Sequence, residues 1–270
     1  MIENLSDILI ITDVDGTLMR AEKGISSENL EAIKRFTGKG GHFTVSTGRA
    51  IDVARELLKD IPINTPSVHI NGGYFYDWQK DEIIEPNYIS KYARHYIRKI
   101  SAKFDCCDCH FAGIHSVNLM TSGKYLEKYI PKSEFHYFEG TYEDIPENVY
   151  KYIVCCDPEN MAEVRKYAES VSGKDVKIIQ SSPFFLEILP PENSKGRSLE
   201  RLCEIIGIPA ENSVAVGDYE NDSDMLKAAG IGAAVYNAQE GLKKIADIIL
   251  PSCEENAIAH LVEFLEEMYE

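Results

Sequence analysis

The chain has 270 residues and is 44% hydrophobic, with 10 Phe and 15 Tyr, enough apolar material for a packed core, which excludes a disordered chain. At the usual ~100–200 residues per domain it holds one large domain or two modest ones. Acidic residues outnumber basic ones by 44 to 28, a net charge of −16, which excludes bulk nucleic acid and anionic membrane surfaces as partners because both demand clustered Lys and Arg. No apolar run reaches the ~20 residues of a membrane helix. Residues 1–7 lack the basic flank and apolar stretch of a signal peptide. Seven cysteines, an odd number in a chain long enough to fold without staples, read as reduced thiols, so a cytoplasmic location is expected.

The first apolar run, Ile8-Leu9-Ile10-Ile11-Thr12, reads as a strand buried on both faces, as in a parallel sheet. A helix follows over about Ser26–Lys39, with Leu30, Ile33 and Phe36 inward and glycines 38, 40 and 41 ending it. The segment His42–Ser46 reads as a second strand, Ala50–Lys59 as a helix and Ser67–Ile70 as a third strand. This alternation is the sign of β-α-β units around a parallel sheet. The middle differs: a helix over Ile89–Phe104, strands over Cys106–Gly113 and Ser116–Met120, then Tyr152–Cys156, a helix near Met161–Ser170, and strands Val176–Gln180 and Phe185–Leu189. Helices beside paired strands predict an antiparallel sheet separate from the parallel one. The first rhythm returns with a helix over Ser198–Ile206, strands at Val214–Val216, Gly232–Val235 and Asp247–Leu250, and a short helix over Met225–Ala229. The expected fold is therefore α/β, a Rossmann-like core with a parallel sheet (1–81 and 190–270) interrupted by an inserted α+β domain with an antiparallel sheet (82–189).

Chemistry concentrates where predicted strands end. Asp13-Val14-Asp15-Gly16-Thr17-Leu18 follows the first strand directly. Two carboxylates at i and i+2, at the carboxyl edge of a parallel sheet, stand where such folds bind ligands, and a hard cation is the natural compensation for their repulsion. A calcium loop does not fit, because its positions 5, 6 and 12 would be Thr17, Leu18 and Gly24 rather than an acid, a Gly and a Glu. Gly217-Asp218-Tyr219-Glu220-Asn221-Asp222 places a second acidic turn after another buried strand. Between them, Ser46-Thr47-Gly48-Arg49 offers a hydroxyl and free N–H groups to an anion, and Ser194-Lys195-Gly196 opens a helix with a lysine that could neutralise charge.

These four segments, in this order and together with Ile70-Asn71-Gly72, resemble the haloacid dehalogenase superfamily of phosphotransferases, and within it the Cof-type phosphatases with a large inserted (class IIB) cap. The resemblance covers nearly the whole chain. It implies that Asp13 is the nucleophile forming an aspartyl-phosphate, and that Asp15 protonates the leaving alcohol and then activates water. It implies that Thr47, Gly48, Lys195 and Asn221 hold the phosphoryl group, Lys195 also aiding catalysis. Mg²⁺ would lie among Asp13, the Asp15 carbonyl, Asp218 and Asp222. A cap that excludes water is expected with it. Two turns depart from the family pattern: Val235-Tyr236-Asn237-Ala238 and Glu255-Asn256-Ala257-Ile258. Neither touches a proposed catalytic group.

The resulting expectation is a Mg²⁺-dependent phosphoric monoester hydrolase acting on small phosphorylated metabolites, sugar phosphates first, as a monomer or homodimer. Rival readings are a phosphomutase of the same superfamily, a phosphatase for a phosphorylated cofactor such as pyridoxal phosphate or a flavin nucleotide, and, more remotely, a non-catalytic phosphate-sensing module. Cys106-Cys107-Asp108-Cys109-His110, even with Cys155-Cys156, is too compressed for the usual zinc spacing. His42 and His69 read as core or sheet-face residues, and the tyrosines from Tyr88 to Tyr96 as packing with polar tips. Part of the acidity belongs to the last twenty residues, with six Glu and no Lys or Arg, which read as a solvated helix face. Without its metal, such a pocket should repel its own substrate.

Overall fold

Four consecutive buried residues form strand β1 (Leu9–Thr12), and burial on both faces is what a central strand of a parallel sheet requires. The computed structural model describes residues 4–20, 24–113, 117–132 and 135–269; Ser116 and Glu270 of the readings above lie outside them. The chain continues through α1 (Ser27–Gly38), β2 (His42–Val45), α2 (Ile51–Leu58), β3 (Ser67–His69), β4 (Tyr74–Asp77) and β5 (Glu82–Ile84). Next come α3 (Ala93–Lys103), β6 (Cys107–Ala112), β7 (Val117–Leu119), β8 (Phe135–Tyr137), β9 (Lys151–Cys156), α4 (Pro158–Val171), β10 (Lys177–Ser182) and β11 (Phe185–Leu189). The last part holds α5 (Lys195–Ile206), β12 (Ser213–Gly217), α6 (Ser223–Ala228), β13 (Ile231–Val235), α7 (Glu240–Lys243), β14 (Ile248–Leu250) and α8 (Ala257–Tyr269). Two compact units result, residues 1–49, 54–86 and 194–270, and residues 50–53 and 87–193. β5 falls in the first of these units because it is hydrogen-bonded to β4, with Phe75 opposite Ile84 and Asp77 opposite Glu82.

The first unit is built on a parallel sheet of order β14-β13-β12-β1-β2. Thr12 is opposite both Val216 and Val45, so the loops after β1, β2 and β12 leave one sheet edge side by side. The segment Ser67–Ile70 is not a further full strand of that sheet. It touches it only through one bridge, Ser46 to Val68, and β3 instead starts a small antiparallel sheet with β4 and β5. The reason is local: Ile70, Asn71 and Gly72 have φ of 55°, 54° and 93°, and three successive left-handed residues turn the chain back on itself.

Local sequence also fixes the helices. Ser26 Oγ accepts from Asn29 N at the start of α1. Ser194 Oγ accepts from Arg197 N at the start of α5, which opens three residues earlier than Ser198 and ends at Gly207 in the left-handed region. The terminal helix carries the expected acidic outer face and, opposite it, a buried one. Ile258, Leu261, Val262 and Leu265 of α8 are buried and α8 packs on α1, where Asn29 Oδ1 accepts from Ala259 N. Its glutamates occupy the outer face, and Glu266 accepts from Arg35 and Lys39.

The second unit is a sheet of order β10-β11-β9-β6-β7-β8, antiparallel except for the parallel pair β7 and β8. Cys107, Cys109, Phe111, Val154, Cys156 and Leu186 join the apolar layer with α3 and α4. Strand alternation puts Asp108, His110, Lys151 and Glu187 on the opposite face. The cysteines of the compressed motif thus turn into the apolar layer while Asp108 accepts from the backbone N–H groups of Gly123, Tyr125 and Leu126. Lys151 Nζ donates to Glu187 Oε2 at 2.7 Å in a buried ion pair. Of the tyrosines, Tyr96 donates to Asp175 and Tyr88 packs on Tyr150, while Tyr92 is exposed. Among the described residues no helix is long and apolar enough to cross a membrane.

Leu261→Ala should cost about 2–5 kcal/mol of stability through the cavity it leaves between α8 and α1, whereas Glu263→Ala on the exposed face should stay within about 0.5 kcal/mol. Urea unfolding of the two variants checks this; equal midpoints would contradict the buried face.

Candidate active site

The site begins where β1 runs out. Asp13 N donates to Val216 O and Ser46 N to Thr12 O, both at 2.9 Å, so the loops of three strands are stitched together at their first residues. Asp13 is buried, and its Oδ1 accepts from Lys195 Nζ at 2.5 Å. Lys195 also donates to Asp222 Oδ1 at 2.6 Å. All of the lysine side chain is withdrawn from solvent. Its place at the first turn of α5 depends on Gly196, where a Cβ would lie 2.4 Å from the Asp224 carbonyl oxygen, so only glycine lets α5 approach α6 so closely.

The fourth segment is folded by Asp222 itself. Its Oδ2 accepts from the backbone N–H groups of Asp218 and Tyr219 at 3.0 and 3.1 Å. Asp218 Oδ1 in turn accepts from Thr17 Oγ1 at 3.1 Å, and its Oδ2 is so close to Gly16 that a Cβ there would lie 2.7 Å away. Gly16 also has a φ of 80°, so the glycine of the first segment is required twice over. Asp13, Asp218 and Asp222 each offer a carboxylate oxygen within 4.8 Å of the others, a hard-oxygen set close enough to share one cation.

Asp15 faces elsewhere. It is half exposed and gripped in a fork by Arg49, Nε to Oδ2 at 2.8 Å and Nη2 to Oδ1 at 2.9 Å. Thr47 is buried and its Oγ1 accepts from Arg49 N at 3.1 Å, with Gly48 between them in the loop. Asn221 does not join the lysine cluster. Its Nδ2 donates to Asn71 Oδ1 at 3.1 Å, while Asn71 N donates to Thr47 O at 3.0 Å. Asn221 Oδ1 is buried with no hydrogen-bond partner among the described residues.

Electrostatics follow from this crowding. Burial pushes the Asp13 carboxyl well above the usual carboxylate range against the pull of Lys195, and the charges of Asp222, Asp218 and Asp15 add to the push. Burial, then Asp222, lifts Asp218 to about 7. Burial works against the Lys195 ammonium, but Asp13 and Asp222 together hold it above the usual lysine range. One buried ammonium thus faces three carboxylates, two of which resist ionisation. Such a cluster gains most from another positive charge.

Four expected residues, Asp13, Lys195, Asp218 and Asp222, are brought into one hydrogen-bonded cluster. Asp15, Thr47 and Asn221 stand around it, each with its own support. Sequence reasoning missed what Arg49, Thr17, Asn71 and Asn237 do. Asn237 lies in a turn that departs from the family pattern, and it is structural: its Nδ2 donates to Gly16 O at 2.8 Å and its Oδ1 accepts from Cys253 N at 2.9 Å. A Gly-rich, Asn-bearing turn after a short strand is a visible signal for Asn71; only the fold reveals the other three.

Comparison with known proteins bears on this arrangement. The model of the haloacid dehalogenase-like hydrolases matches residues 10–262. The 5-amino-6-(5-phospho-D-ribitylamino)uracil phosphatase YwtE of Bacillus subtilis is 29% identical, covering 95% of this chain and 97% of its own length. A second Bacillus subtilis phosphatase of that name, YcsE, is also 29% identical, over 96% of each chain. A haloacid dehalogenase-like hydrolase from Bacteroides thetaiotaomicron has a TM-score of 0.82 at 28% identity, covering 95% of this chain and 98% of that one. A subclass IIB sugar phosphatase of the superfamily shares the fold, with a TM-score of 0.81 at 22% identity over 96% and 98% of the two chains. With the family model spanning most of its length and the family's four segments meeting at one sheet edge, the chain belongs to the haloacid dehalogenase-like hydrolases.

Proposed function

We propose that this hydrolase is a Mg²⁺-dependent phosphatase of small phosphorylated metabolites, working through an aspartyl-phosphate on Asp13. The observation that carries the reading is the buried Asp13 carboxylate, held at the end of β1 by Lys195 and flanked by Asp218 and Asp222. In the first half-reaction an Asp13 oxygen attacks phosphorus, the bond to the leaving oxygen breaks, and Asp15 gives that oxygen a proton. In the second, Asp15 takes a proton from water, the water oxygen attacks phosphorus, and Asp13 is released with inorganic phosphate. Lys195, Thr47, the Gly48 backbone and the Asn221 amide offset or hold the phosphoryl oxygens, the chief demand of this chemistry.

The donor set fits a hard dication: Asp13 and Asp218 would be carboxylate ligands, with the Asp15 carbonyl that the family resemblance implies, and Asp222 would hold the Asp218 turn in place. When bound, Mg²⁺ supplies positive charge against the phosphoryl oxygens. Sugar phosphates remain the first substrate class. The names of the Bacillus subtilis relatives favour a close second, a phosphorylated ribityl chain on a heterocycle, which lies near the flavin-nucleotide alternative. All seven thiols are free, in keeping with a reducing compartment such as the cytoplasm.

Asp13→Asn should reduce Mg²⁺-dependent phosphate release from an aryl phosphate to background; unchanged turnover would remove the nucleophile. Asp15→Ala should slow breakdown of the phosphoenzyme by about 10²–10⁴-fold, read as acid-stable ³²P label trapped on the protein in rapid quench. The metal is tested by stability. Since Asp218 titrates near 7 in the metal-free fold rather than near its ordinary 3.8, the folded protein holds protons that the unfolded chain has lost between about pH 4 and 7. Stability should therefore fall as pH rises through that window in EDTA. With Mg²⁺ the melting temperature should rise most at the neutral end; superimposable curves would count against the site.

A further inference from the structure

Strand β3 carries a fully buried histidine that the proposed chemistry leaves without a task. His69 Nδ1 lies 3.1 Å from the Arg49 carbonyl oxygen, its Nε2 lies 2.8 Å from Ser67 Oγ, and Trp78 Nε1 lies 2.8 Å from the same Ser67 Oγ. The directions of these bonds are forced. A carbonyl oxygen only accepts, so Nδ1 carries the hydrogen; an indole N–H only donates, so Ser67 Oγ accepts from Trp78. The Ser67 hydrogen is then available for Nε2, the acceptor nitrogen of a neutral ring. Tyr74 stacks on the imidazole with centroids 5.4 Å apart, and Tyr76 meets it edge-on at 6.2 Å, which restrains it from flipping. Burial lowers its pKa to about 4, so the ring is a fixed hydrogen-bond spacer and not a proton store.

The relay ends on a peptide with consequences. The Arg49 carbonyl also accepts from Ile70 N at 3.3 Å, and Ile70 has a φ of 55°. A β-branched residue in the left-handed region is strained and persists only where its surroundings over-determine it. Arg49 is therefore held at its main chain from two sides, while its side chain forks onto Asp15.

We propose that His69 is a positioning residue: it fixes the Arg49 main chain so that the guanidinium aims the Asp15 carboxyl at the leaving-group oxygen. The inference rests on the acid–base role proposed above for Asp15. Trp78 orients Ser67, Ser67 holds Nε2, and the Nδ1–H of His69 fixes the Arg49 carbonyl.

The test is the dependence of kcat/KM on leaving group across aryl phosphates, from 2,4-dinitrophenyl to phenyl. A strongly acidic phenol departs without a proton, whereas phenol needs the acid in place. A displaced Asp15 therefore steepens the dependence, which a loss of stability alone does not. His69→Leu should lose about 10–100-fold on phenyl phosphate but less than about 3-fold on the dinitrophenyl ester. His69→Asn, whose amide N–H can take the place of Nδ1–H, should recover most of that loss. Ser67→Ala, a small change expected to fold whatever His69→Leu does, should steepen the series in the same sense. A loss equal across the series, or none, in a Ser67→Ala or His69→Leu protein whose wild type is active would overturn the inference alone. A wild type inactive toward every ester would overturn the phosphatase reading and this inference with it.

Discussion

A buried ammonium between two buried carboxylates organises this protein's core. Lys195 ties the end of the first strand to the loop after β12, and burying carboxylates so deeply without such a partner would be costly. Much of the local architecture serves that contact. Gly196 lets the lysine's helix come close to α6, the Ser194 cap starts the helix at the right residue, and Asp222 uses its second oxygen to fold the turn that presents Asp218. The parallel register of β1 with β12 then sets the distance across which the lysine must reach.

The chain's large negative charge acts at two places that have little to do with each other. On α8 it is an outer face whose Glu266 meets Arg35 and Lys39, an arrangement of solubility and modest local attraction. In the site it is a shortage of cations: three carboxylates around one lysine, with a fourth engaged by Arg49. The same count of acids thus describes a wet surface and a dry pocket, and only burial tells them apart.

The strand ends were legible in the sequence because each is a buried β-branched run broken by an acid and a glycine, as at Thr12–Gly16 and Val216–Asp218. Such a pattern carries both the secondary structure and the chemistry. The acidic face of the terminal helix was legible from its glutamates, whereas its buried side, Ile258, Leu261, Val262 and Leu265 at helical spacing, was not singled out because such residues are ordinary. The small sheet escaped because its cause is a backbone conformation, three left-handed residues at Ile70–Gly72, that no propensity assigns to isoleucine. Arg49 stood within a quoted segment, yet its partner Asp15 lies 34 residues away and becomes its neighbour only when β1 and β2 pair. Asn237 escaped for the same reason, since a departure from a family pattern says nothing of the contacts that replace it.

The order of the core sheet has a consequence for the protein's birth. β1 lies between β2 and β12, and β2 follows it closely in sequence, whereas β12 comes after the whole inserted unit. At a translation rate of about 5–20 residues per second, the second neighbour reaches β1 roughly 10–40 s after β1 itself is made. Throughout that interval one of the most apolar strands in the chain has an open hydrogen-bonding edge, and Asp13 has no lysine. The insertion that divides the catalytic unit in sequence therefore also divides its folding in time, leaving the nascent first half in need of protection against pairing with the wrong strand.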